Sequence, residues 1–189
     1  MIRDLILSTR SYRRFHEAVS IERSVLIELV ELARLSPSAA NLQPIRYILS
    51  CEASKNALIF PHLGWAGYLK DWAGPSEGER PSAYIIMLAE TKQGPCSACD
   101  QGIAAQSILL GAAEKGLGGC IIASIERAEL AEALGIPSAY EILLVIALGK
   151  PKEKVVIDTV GDSGDIRYWR DSEGAHHVPK RRLEDIIVG

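Results

Sequence analysis

Residues 100–116 read Asp-Gln-Gly-Ile-Ala-Ala-Gln-Ser-Ile-Leu-Leu-Gly-Ala-Ala-Glu-Lys-Gly. Ala105, Ile108, Leu109 and Ala112 recur at helical spacing and mark one face. Ile103, Ala104, Leu110 and Ala113 fill the other sides, so this helix is apolar nearly all round. A helix of that kind is covered on every side. In a chain of 189 residues, a second subunit is the natural covering. Gly102, Ala104, Ala105, Gly111, Ala112 and Ala113 would let it approach closely. The stretch therefore predicts a long central helix and a homodimer packed on it.

On the N-terminal side, Ile2, Leu5 and Ile6 predict a short helix before Arg10. Ser20 suits the N-cap of a second helix, along which Leu26, Leu29, Val30 and Ala33 keep one face. It ends near Leu35, because Ser36 precedes Pro37 and is pushed out of helical space. Ile45 to Ser50 reads as a strand and Ala53 to Phe60 as a helix. Leu63 to Ser82 holds four glycines and two prolines, with Trp65 and Trp72, and reads as a long structured loop, a frequent carrier of function. Ala83 to Leu88 is a buried strand. On the C-terminal side, Gly119 to Ser124 reads as a strand, Glu126 to Leu134 as a helix and Ile142 to Leu148 as a strand. Lys150 to Asp165 looks irregular, with β character around Val155. Arg167 to Arg170 adds an edge strand, and Leu183 to Val188 a last short helix. Four or five strands that do not alternate cleanly with helices indicate an α+β chain rather than a doubly wound parallel sheet.

Nearly half the residues are apolar and about a quarter are charged, an ordinary composition for a folded domain. A net charge of -3 argues against nucleic acid or an anionic membrane as partner. The cations are local: Arg10, Arg13 and Arg14 near one end, Lys180, Arg181 and Arg182 near the other. Such clusters in an acidic chain suit one small anion. Met1 to Leu7 lacks the apolar run of a signal peptide, and no stretch is long enough for a membrane span. The expected location is cytoplasmic, where cysteines are thiols.

Several motifs carry little. Gly116-Leu117-Gly118-Gly119 leads into a strand rather than from a strand into a helix, so it is not a dinucleotide fingerprint. Cys96-Ser97-Ala98-Cys99 is a single CxxC before a helix; redox chemistry is conceivable, but a zinc site would need two more ligands. Gly161-Asp162-Ser163-Gly164-Asp165 resembles the nucleophile segment of chymotrypsin-like proteases, yet no signature places a histidine and an acid beside Ser163. His176 and His177 are adjacent, and on a strand they face opposite sides.

Three segments carry more in combination. Arg10-Ser11-Tyr12-Arg13-Arg14-Phe15 offers separated guanidinium forks, which suit phosphate. Ser36-Pro37-Ser38-Ala39-Ala40-Asn41-Leu42-Gln43-Pro44 offers small residues and amides against which a planar ligand could lie. Pro179-Lys180-Arg181 closes the set. With Gly116 to Gly119 and Ala147-Leu148-Gly149-Lys150-Pro151, their order over nearly the whole chain resembles the nitroreductase family of FMN-dependent oxidoreductases.

The resemblance implies one nitroreductase-like domain over residues 1–189. Its fold would be an α+β sandwich, a central mixed sheet flanked by helices, dimerising through long central helices. FMN would lie at the interface. Arg10 and Ser11 would meet its phosphate and ribityl chain, and Arg13 would approach N1 and the C2 carbonyl of the ring. Pro37, Ser38, Ala39 and Asn41 would come from the partner subunit. Ala123 and Ser124 would face the N5 side, and Lys180 and Arg181 would complete the phosphate site. Trp65 and Tyr68, with Trp72, would shape the acceptor pocket, or else anchor their loop. Thr9 stands where many members have a first arginine, so the phosphate would rely on Arg10 and the C-terminal pair.

The implied activity is transfer of electrons from NADH or NADPH through flavin N5 to a small acceptor such as a nitroaromatic or quinone, in a ping-pong sequence. The flavin carries the chemistry, so no side chain is nominated as catalytic. Alternatives are specialised flavin chemistry in the same fold (oxygen-driven, dehalogenating or dehydrogenating) and a flavin-binding protein without turnover.

Overall fold

A computed structural model describes residues 1–91 and 98–189. Along these residues the order is α1 Ile2–Ser8, α2 Arg23–Leu35, β1 Ile45–Ser50, α3 Ala53–Ile59, β2 Ala83–Glu90, α4 Ala98–Glu114, β3 Gly118–Ile122, α5 Arg127–Leu134, β4 Tyr140–Gly149, β5 Val155–Thr159, β6 Trp169–Arg170 and β7 His176–Lys180. The architecture is α+β. Among the described residues no helix is long and apolar enough to cross a membrane. Cys96 of the CxxC lies outside the described residues.

The central sheet has strand order β1-β2-β4-β3, and each of these pairs is antiparallel. Parallel pairing enters at its edge, where Ser11 bridges Gly119, and in a second sheet ordered β5-β7-β6, whose β5–β7 pair is parallel. β2 is buried from Ala83 to Ala89 because both faces are covered. Successive side chains go to opposite faces. Ile85 and Met87 join Leu26, Leu29, Ile108 and Leu148 under α2 and α4. Tyr84, Ile86 and Leu88 join Ile59, Leu63 and Leu130 under α3, α5 and the following loop. Each fully buried Leu or Ile stabilises the fold by roughly 1.5–3 kcal/mol, so these two layers hold the sheet between them.

α4 is covered on one side by its own chain. A β-carbon on Gly111 would stand 2.3 Å from a methyl carbon of Leu32, so that glycine admits α2. Gly102, Ile103 and Gln106 on the other side are exposed. The apolar faces of α1 and the C-terminus are open as well, with Ile2, Ile6, Leu183, Ile186, Ile187 and Val188 all exposed.

Two sequence expectations are corrected, and one strand was not expected. α2 starts at Arg23 with Glu22 as an extended cap residue, not at Ser20; Ile21 is drawn into the core, which keeps the chain before it extended. Leu183 to Val188 forms no helix, only turns, because its apolar side chains are largely uncovered by the other described residues. His176–Lys180 is a strand with β5 on one side and β6 on the other, despite Pro179. Proline tolerates a strand where its missing N–H is not needed, and β6 pairs only with His176 and His177, stopping short of Pro179.

Candidate functional site

The site is built where the Arg10–Phe15 segment lies along the edge of the central sheet. Glycines make this approach possible. A β-carbon on Gly118 would stand 2.4 Å from the Tyr12 ring, and one on Gly149 would stand 2.7 Å from the Phe15 ring. Phe15 is fully buried and bridges Pro151. The Tyr12 N–H donates to the Gly119 carbonyl at 3.0 Å. Gly116 to Gly119 and Ala147 to Pro151 are thus the seat of the arginine segment.

Glu153 locks the segment from beneath. Its carboxylate is fully buried; it accepts the Arg13 backbone N–H and also pairs with the Arg170 guanidinium at 3.0 Å. Arg14 is consumed structurally: its fork donates to both Glu79 oxygens at 2.6 Å. That hydrogen bonding holds the Glu79 carboxyl down at about 2. Arg10 turns back on α1 and donates to the carbonyls of Thr9 and Ile6 at 2.6 and 3.0 Å.

A cleft of about 290 Å³ opens above β3. Its walls include Arg10, Ser11, Arg13, Gln106, Tyr168, His176 and Lys180, and its floor includes Leu109 and Ile121. Arg13 and Ile121 also line a second recess with Trp65, Ala123 and Ser124, so the two form one trough across β3. Among the described residues, neither Arg13 nor Lys180 has a carboxylate partner. Arg13 lies 4.8 Å over the Tyr168 ring, and its Nη1 is 3.1 Å from His176 Nε2. Burial, with the nearby charges of Arg13, Arg170 and His177, pushes the His176 imidazole down to about 4.

The far end of the trough is set by a clamp between β3 and the long loop. The Ser124 carbonyl accepts the Gly64 N–H at 2.8 Å, and Leu63 bridges Ile125. A β-carbon on Gly64 would collide with the Ser124 hydroxyl at 2.4 Å. Ser124 itself lines the recess at this end, beside Ala123.

The remaining expected residues fall in three groups. Pro37, Ser38, Ala39 and Asn41 do not line this trough. They lie beyond α4, where Pro37 and Ser38 border a separate groove with Asp100 and Ala104. Asp100 is buried and holds them: it accepts the Ala39 N–H at 2.9 Å and the Ser38 hydroxyl at 3.2 Å. Ala40, Asn41 and Gln43 have φ of 47°, 55° and 50°, a conformation that costs a non-glycine residue free energy and that clusters at functional segments. Arg181 is exposed and outside the trough lining, whereas Lys180 is in it. Trp65 has a double place, lining the recess and packing on Phe60 with ring centroids 5.9 Å apart. Tyr68 is half-exposed and rests on Tyr168. Trp72 carries the Arg170 guanidinium 4.1 Å from its ring centre and so anchors the loop.

Sequence reasoning missed Glu153, Tyr168 and His176. A lone Glu and Tyr give no local signal. His176 was visible as half of a pair, but its partner Arg13 is 163 residues away.

A trough lined by Arg10, Arg13 and Lys180, with Leu109 and Ile121 between them and Ala123 and Ser124 beyond, can hold a flat, anionic ligand along an edge strand. The family model described as Nitroreductase family matches residues 6–150, and the chain belongs to that family. Among solved structures, it is similar to an FMN-dependent nitroreductase from Clostridium difficile R20291 at 24% identity and TM-score 0.65, covering 82% of this chain and 89% of that one. It is also similar to a nitroreductase in complex with FMN from Exiguobacterium sibiricum 255-15 (20% identity, TM-score 0.66, coverage 81% and 89%). A third is the NADPH:FMN oxidoreductase from Vibrio harveyi complexed with NAD+ (24% identity, TM-score 0.62, coverage 80% and 69%). No curated protein sequence matches the chain.

Proposed function

We propose that this chain is an FMN-dependent oxidoreductase that takes electrons from NADH or NADPH and passes them, in a ping-pong sequence, to a small organic acceptor such as a quinone or nitroaromatic. The observation that carries the reading is the trough across β3, with Arg10 and Lys180 in one part, Ser124 in the other and Arg13 shared by both. Family membership and the FMN named in three similar structures support it.

Bound FMN would supply the electron chemistry, accepting from the nicotinamide and giving to the acceptor. The chain's own residues bind and tune it. Lys180 and the remaining donors of Arg10 would hold the phosphate. Thr9 cannot add a cation there; its hydroxyl caps α1 through the Leu5 carbonyl at 2.7 Å. Arg13 would favour negative charge on the nearby part of the ring by placing a fixed positive charge there. Ala123 and the Ser124 N–H would face the opposite ring edge, and Trp65 and Tyr68 would wall the acceptor side.

The protein would act as a cytoplasmic homodimer. The exposed face of α4 separates the trough from the groove beside Pro37. A second copy packed on that face would cover Ile103 and bring Pro37, Ser38, Ala39 and Asn41 to its neighbour's flavin.

The test is anaerobic. Protein loaded with FMN and freed of excess is titrated with NADH and NADPH, then given a quinone or a nitroaromatic. The flavin absorbance should bleach with a nicotinamide and return with an acceptor. Retained FMN that neither nicotinamide bleaches would contradict the oxidoreductase reading and leave a flavin-binding protein.

A further inference from the structure

We propose that His176 is a positioning residue, which fixes the Arg13 guanidinium toward the flavin ring by accepting a hydrogen bond from it. The proposal rests on the FMN reading above and deepens it by assigning what aims Arg13.

A guanidinium has only donors and does not lose its charge in a protein. At the 3.1 Å contact between Arg13 Nη1 and His176 Nε2, Nε2 must therefore be the acceptor. The imidazole is then neutral, with its proton on Nδ1. Nδ1 is buried and has no hydrogen-bond partner among the described residues. A buried N–H left without a partner costs free energy, and such exceptions call for an explanation. Holding Arg13 is a sufficient one.

The pose of Arg13 is otherwise weakly determined. Nη1 reaches the Ser11 carbonyl only at 3.3 Å, and the Tyr168 ring gives a face but no direction. His176 in turn is held rigidly. Its backbone N–H donates to the Lys154 carbonyl at 2.8 Å, β5 and β6 pair with it on both sides, and its ring lies 5.2 Å from that of Tyr168. With Nη1 taken by His176, the other guanidinium donors are left for the trough.

The test uses FMN-loaded protein with His176→Phe, His176→Gln and Arg13→Met, alone and in pairs. The readouts are the FMN dissociation constant and the midpoint potential. Phe keeps a packed ring but removes the acceptor. His176→Phe should weaken binding of the reduced flavin about tenfold more than that of the oxidised form. For a two-electron couple that tenfold difference lowers the potential by about 30 mV. Gln supplies an acceptor oxygen and should restore most of the shift. In the Arg13→Met background, His176→Phe should move the potential no further. A wild-type potential in folded His176→Phe, or an additive shift in the double variant, would overturn the proposal.

A second readout needs no flavin. Nitrogen NMR of the apoprotein at neutral pH should show His176 Nε2 unprotonated and Nδ1 protonated; the opposite tautomer would overturn the pairing. If the protein retains no FMN, the FMN reading fails, while this tautomer measurement still reports on the pairing itself.

Discussion

Gly119 faces Ala147 so closely that a β-carbon on it would stand 2.7 Å from the Ala147 carbonyl oxygen. The obstacle is backbone in the central sheet, which cannot turn aside as a side chain could. The same glycine bridges Ser11 and accepts the Tyr12 N–H. Gly119→Ala should therefore push β3 away from β4 and α4 and disturb the arginine segment that rests on it. Overpacking of this kind costs about 1–3 kcal/mol. Urea unfolding measures the loss, and FMN retention should fall with it. Unchanged stability would show that the edge of the sheet yields more easily than its contacts imply.

Asp100 and Ala39 make the corresponding contact on the other side of α4. Removing the carboxyl leaves the Ala39 N–H and the Ser38 hydroxyl without their acceptor and frees a segment already held at positive φ. Asp100→Ala should cost about 2 kcal/mol and Asp100→Asn less, because an amide oxygen can still accept one bond. If the segment serves the partner's site, the Ala variant should also weaken FMN binding in a dimer whose own troughs are intact. Sedimentation and flavin titration together measure this.

Lys180 and Arg13 should separate by readout. Lys180→Ala should weaken FMN about tenfold, roughly 1.4 kcal/mol, and leave the potential in place, because it acts at the phosphate end. Arg13→Ala should weaken retention or lower the potential. Unchanged values for both would remove Arg13 from the site.

The two histidines of β7 should shape stability against pH in opposite senses. His176 is held down at about 4 from an ordinary 6.5. The unfolded chain therefore takes up its proton first, and the His176 contribution, full above about 6.5, is lost as pH falls toward 4. His177 is raised, first by its hydrogen bond to Asp158 at 2.8 Å and also by Asp171. Its contribution is present below 6.5 and is lost as pH rises through its folded value. Urea unfolding across this range should lose its acid limb in His176→Phe and its loss above 6.5 in His177→Gln.

The legible parts of the chain were those with local signals. β2 and β4 stood out as apolar runs because both faces of each are largely covered, and α4 because its inner face is buried and its open face carries Gly102 and Ile103. The arginine segment and the glycine run were read as separate motifs, and the structure shows them to be one joint, with glycines where Tyr12 and Phe15 must pass. β7 was not read as a strand because His176-His177-Val178-Pro179-Lys180 lacks apolar alternation and holds a proline. The last helix was expected, but Leu183, Ile186 and Ile187 are largely exposed among the described residues. Glu153 and His176 depend on contacts between distant residues, which no local pattern encodes.

The most direct measurement is the visible absorption spectrum of the protein after FMN is added and the excess removed. A retained flavin spectrum at about one FMN per chain, reduced in Arg13→Ala or Lys180→Ala, is the predicted result. A colourless, correctly folded protein would contradict the assignment of the β3 trough as a flavin site.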